Sequence, residues 1–115
     1  MDLIREMLLR IEAHENPNTR IRMQIQGYAA EQIVYHVKLL AEAGLIEAYD
    51  ASSARELYWI PKHLTWSGHE FLDAVRHEAV WAGTKEIVDD KGGAVPFEIW
   101  RSLALSVARS VFGLS

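Results

Sequence analysis

HVKLLAEAGLI, residues 36–46, decides the fold. Traced back to Ala30, the segment up to Ala43 places Ile33, Val37, Leu40 and Ala41 on one face, with Val34 and Gly44 at its edges. This spacing of three and four residues predicts a helix buried along a single stripe. Gly44 stands just past the last periodic position, where a left-handed backbone costs glycine little. LIEAY, Leu45 to Tyr49, then reads as a short strand, so the helix stops on a glycine and turns directly into a sheet.

Toward the C-terminus, DASSARE (50–56) is a polar loop and LYWIP (57–61) is aromatic and β-branched, so the runs on either side are expected to pair as a hairpin. Its tip of five to seven residues is longer than a tight turn. Thr65 suits the cap of a helix from Trp66 onward, with Phe71, Leu72, Val75 and Ala79 inward and Glu70, Asp73, Arg76 and His77 outward. That helix is expected to run, with a bend, to about Asp90. Lys91-Gly92-Gly93 is a stop signal, and Pro96 suits the first turn of a last helix, Pro96 to Phe112. The apolar residues of this helix cover more than one stripe, as core or as the seam of a homodimer.

Toward the N-terminus, RIRMQIQ (20–26) alternates Ile21, Met23 and Ile25 with Arg22, Gln24 and Gln26, the period of a half-buried strand. Asn16-Pro17-Asn18 breaks the chain before it. The first segment places Leu3, Ile4, Met7, Leu8 and Ile11 at helical spacing, predicting a helix from about Asp2, its cap, to His14.

The expected order is helix, strand, helix, strand, strand, helix, helix. This is an α+β, winged-helix-like domain spanning 1–115, with a helical C-terminal extension over about 66–115. IVYHVKLLAEAGLI (33–46) resembles the recognition helix and wing entry of bacterial winged-helix repressors of the arsenic-repressor type, with His36, Leu40, Ala43, Gly44 and Leu45 matching directly. HLTWSGHEFL (63–72) resembles the segment that leaves the wing in such families. Over nearly its whole length the chain also resembles a family of short bacterial and phage proteins classed as a domain of unknown function. MDLIREMLLRIE, GYAAEQIVYHVKLLAEAGLIEA and LTWSGHEFLDAVRHEAVW carry that likeness. It implies a small winged-helix-like protein, often from prophages or mobile elements, with no assigned catalytic residues. One departure stands out. The second helix of a complete helix-turn-helix, which sets the angle of the reading helix, has no counterpart between the first helix and Ala30.

The chain has 115 residues and a net charge of −4, enough for one hydrophobic core and without the general basic footprint of a strong nucleic-acid binder. Any DNA contact has to be a local patch. The absence of cysteine excludes disulfides, thiol catalysis and thiolate metal sites, and agrees with a cytoplasmic location. MDLIREMLLRIEAHE lacks the continuous apolar core of a signal peptide, and no membrane association is expected.

A DNA-reading role for the 30–43 helix falls to the face opposite Val37, namely Glu31, Gln32, Tyr35, Lys38, Leu39 and Glu42. Gln32 matches an adenine edge, and Lys38 a guanine or a phosphate. Glu31 and Glu42 repel phosphates. Arg22 on the strand, Arg55 at the wing tip and Lys62 after it complete the candidate DNA contacts, with Arg20 and His63 nearby. His69, Asp73 and His77 line one side of a helix at four-residue spacing, but HEFLD is not the H-E-x-x-H zinc motif, and no metal or other cofactor is expected. No nucleophile elbow or phosphate loop surrounds Ser52, Ser53 or Ser67, so no catalytic residue is assigned and the chain is not expected to be an enzyme. The four tryptophans, Trp59, Trp66, Trp81 and Trp100, are expected mostly in the core, with Trp66 and Trp81 the first to consider as interface anchors. The leading expectation is a small DNA-binding transcriptional regulator of phage or mobile-element origin, acting on double-stranded DNA. The alternative is a protein-binding module that has kept the scaffold and lost DNA affinity.

Overall fold

A computed structural model describes residues 2–14, 19, 21 and 23–113. Among these the fold is mixed α+β, with five helices and one antiparallel hairpin: α1 Asp2–Ala13, α2 Ala30–Glu42, β1 Ile46–Asp50, β2 Trp59–Leu64, α3 Trp66–Val75, α4 Glu78–Asp90 and α5 Phe97–Val111. The order is compatible with a winged-helix-like layout. The chain divides into two compact units, Met1–His69 and Glu70–Ser115, with the boundary inside α3.

In the first unit the expected periodicities become buried faces. Leu3, Met7, Leu8 and Ile11 of α1 and Ile33, Val37 and Leu40 of α2 are buried, and both helices pack on the hairpin. The end of α2 shows how its sequence stops it. Gly44 has φ +76°, its N–H donates to the Ala41 carbonyl at 3.0 Å, and the Leu45 N–H donates to the Leu40 carbonyl at 3.0 Å. These two bonds satisfy carbonyls that a helix end leaves open, and they turn the chain into β1 with Leu45 fully buried.

The hairpin pairs Ile46 with Leu64 and Asp50 with Trp59, and a register shift between Glu47 and Ala48 leaves Lys62 without an opposite residue. Pro61, which cannot donate to the ladder, sits beside that shift in a strand that, among the described residues, is paired on one side only. β2 therefore begins two residues later than the LYWIP pattern suggests and extends to Leu64. The loop is better ordered than its composition implies. Ala51 N–H donates to the Tyr58 carbonyl at 2.8 Å and Ser53 N–H to the Glu56 carbonyl at 2.9 Å, tightening the tip to Ser53–Glu56.

Two expectations are corrected. The first is the strand over 20–26. Arg20 and Arg22 lie outside the described residues, and Ile21 and Met23–Ile25 join no ladder. The Gln24 carbonyl accepts from Arg10 Nη1 at 3.0 Å and the Ile25 carbonyl from the Tyr28 N–H at 3.2 Å. Two of its carbonyls are thus taken up by a side chain and a turn, while the alternation survives: Ile21, Met23 and Ile25 are half-buried, and Gln24 and Gln26 are exposed. No helix is found among the described residues between Ala13 and Ala30.

The second correction concerns the long helix from Trp66. It breaks at Arg76–His77, where His77 takes an extended backbone (ψ 122°) and caps α4. The break rephases the buried face, so that Val80, Trp81, Thr84 and Val88 are buried and Ala79, expected inward, is exposed. Within the second unit α4 and α5 pack together. A Cβ on Gly83 would come within 3.1 Å of Val107, and the Trp81 and Trp100 rings lie 5.2 Å apart. Buried Thr84 donates its hydroxyl hydrogen bond to the Val80 carbonyl at 2.7 Å. No described helix is long and apolar enough to cross a membrane.

Candidate interaction surface on α2 and the hairpin

The two segments that resemble repressor motifs meet in space, and their shared residues hold the scaffold. Thr65 donates its hydroxyl to the Gly44 carbonyl, its N–H donates to the Leu45 carbonyl at 3.0 Å, and its hydroxyl oxygen accepts from the Gly68 N–H at 3.1 Å. One side chain thus caps α3 and ties it to the turn after α2. Gly68 is required for the same reason, since a Cβ there would lie 1.9 Å from the Leu45 carbonyl oxygen. Gly44, Leu45, Thr65 and Gly68 are thus part of the architecture, and the candidate contacts are side chains exposed around them.

On α2 the outward stripe runs Glu31, Tyr35, Leu39 and Glu42, opposite buried Ile33, Val37 and Leu40. Tyr35 is 48% and Leu39 36% exposed. The side chains expected to read bases are engaged within the helix. Gln32 Oε1 accepts from the Ala29 N–H at 2.9 Å, closing the first turn, and Lys38 Nζ lies 3.7 Å from Glu42 Oε1. The Lys38–Glu42 separation is long and exposed, so this pair stabilises little, yet it offsets the only cation on that face of α2. His36 Nδ1 is 2.7 Å from the Gln32 carbonyl, and its ring meets Tyr35 edge-on at 6.1 Å.

On the hairpin, Arg55 is exposed at the tip and Lys62 Nζ sits 4.2 Å above the Tyr49 ring. Asp50 Oδ1 accepts from the Ser52 N–H at 3.0 Å, and hydrogen bonds from the Ser52 side chain and backbone hold this carboxyl below the usual carboxylate range. Ser52 Oγ in turn accepts from the Tyr58 N–H at 2.9 Å, so the loop that carries Arg55 is closed by its own serines. Arg22 lies outside the described residues. The candidate contacts thus divide into Gln32, Tyr35 and Lys38 on α2 and Arg55 and Lys62 on the hairpin.

A groove of about 730 Å³ runs between Ile21 and Met23 on one side and Ile33, Val37, Trp59 and Ile60 on the other, where the expected third strand would have paired. Among the described residues no group of three His, Asp or Glu side chains is placed to hold a metal ion. His69 Nδ1 lies 4.0 Å from Glu12, Asp73 pairs with Arg76 at 3.0 Å, and His77 stacks edge-on with Phe112. Trp81 and Trp100 are core, whereas Trp66 is 78% exposed. Along the expected seam on α5, Ile99, Val111 and Phe112 are exposed while Trp100, Ala104 and Ala108 are buried. Tyr28, 39% exposed just before α2, lines a shallow pocket with Asp2, Leu3, Arg5 and Glu6 of α1 and Ile25.

A family model described as Hypothetical protein (DUF2513) matches residues 1–94. An uncharacterized protein of Haemophilus influenzae is 37% identical over 107 residues, covering 92% of this chain and 91% of the relative. No solved structure matches the chain.

Proposed function

This chain belongs to the DUF2513 family, whose description states no activity, and we propose that it is a protein-binding module on a winged-helix-like scaffold, docking through the outward face of α2. One observation carries this reading: two carboxylates, Glu31 and Glu42, stand on the outward stripe beside exposed Tyr35 and Leu39, while Gln32 and Lys38 are turned to partners within the helix. Affinity for duplex DNA rests mainly on cations meeting phosphate, and this face presents the opposite sign. An exposed aromatic and aliphatic pair with charged flanks suits a protein partner.

A second reading, a DNA-binding transcriptional regulator of phage or mobile-element origin, is favoured by Arg55 at the hairpin tip and exposed Lys62, where a wing offers cations to phosphate. In both readings the chain binds and does not catalyse.

Fluorescence anisotropy with labelled duplexes, random and from the sequence upstream of its own gene, separates the two. The docking reading expects no duplex binding at low salt. Binding that weakens steeply with salt, and falls on Lys38→Glu and on Arg55→Glu, establishes the regulator instead.

A further inference from the structure

Resting on the docking reading of α2, we propose that its partner is a cationic amphipathic helix, with an apolar stripe between two basic residues spaced as Glu31 and Glu42 are. The two glutamates are separated by eleven positions. At about 1.5 Å per residue their carboxylates bracket roughly 16 Å of helix, three turns, with Tyr35 and Leu39 between them. Among the described residues the Glu31 carboxylate has no ion-pair partner, and Glu42 has only the distant Lys38 at 3.7 Å.

Charge selects the occupant. A second copy of the chain is disfavoured, because a two-fold axis through the middle of the Tyr35–Leu39 stripe sets each Glu31 against the other copy's Glu42. Nucleic acid meets the same two carboxylates with phosphate. A helix bearing Lys or Arg about eleven positions apart places both cations on the carboxylates and buries its apolar residues on Tyr35 and Leu39.

The test titrates the ¹⁵N-labelled full-length chain with two synthetic helical peptides that share one leucine stripe. One carries lysines eleven positions apart, the other glutamates at the same places, and a DNA duplex forms the third arm. The lysine peptide is expected to shift the amides of Glu31, Tyr35, Leu39 and Glu42. Its affinity should fall about tenfold for the Glu31→Lys/Glu42→Lys chain, which should then prefer the glutamate peptide. Equal affinity of the two peptides at α2 overturns the charge rule and leaves the docking reading standing. Amide shifts of α2 with the duplex and with neither peptide overturn both. Absence of any α2 shift, or dimerisation of the chain through α2, also overturns the proposal.

Discussion

At Gly68 the helix α3 approaches the Leu45 carbonyl so closely that even a methyl group has no room. Gly68→Ala is therefore expected to lower unfolding free energy by at least about 1–3 kcal/mol in urea titrations, because a backbone carbonyl yields less readily than a side chain. Thr65→Ala removes both the cap and the tie to Gly44 and is expected to cost about 1 kcal/mol, with Thr65→Ser keeping most of it. Thr65 was legible as a cap from its place before an apolar helix. The role of Gly68 was not, because the clash depends on a segment more than twenty residues away. Asp50 offers a pH test at the same scale. Its carboxyl is depressed by Ser52, so the contribution of that contact is present above the ordinary aspartate pKa and is lost as pH falls through the depressed one. The Ser52 amide resonance should titrate with a midpoint below the ordinary aspartate value, and a midpoint at or above it contradicts the contact.

Among the elements, α2 was the most legible, since its apolar repeat and its glycine stop both lie in one local stretch. Leu40→Ala should destabilise the chain by about 2–5 kcal/mol, as expected for a buried leucine, whereas Tyr35→Ala with Leu39→Ala should change stability by no more than about 0.5 kcal/mol per site. A large loss from the outward pair would mean that those side chains support the fold and are not held ready for a partner. The strand over 20–26 was misread for a physical reason. Alternation records which side chains are half-buried, but a ladder also requires strand partners for the backbone, and here Arg10 and a turn take up the Gln24 and Ile25 carbonyls instead. The bend expected between Trp66 and Asp90 is a full break at His77, and its place was not legible because apolar residues on both sides keep helical spacing and only the change of phase from Val75 to Val80 and Trp81 marks it.

For the whole molecule, the helix and hairpin order came from patterns that serve packing. Gly44, Leu45, Thr65 and Gly68 hold one another. The surface they support is acidic at both ends of the α2 stripe and apolar between, in a chain with a net charge of −4. Sign and exposure, more than fold, are what the proposed protein partner rests on. The most direct measurement is an amide-shift map of the full-length chain titrated with duplex DNA at low salt, repeated as salt is raised. The expected result is that Glu31, Tyr35, Leu39 and Glu42 do not move at any duplex concentration. Shifts confined to α2 and the hairpin tip that collapse steeply with added salt would contradict it.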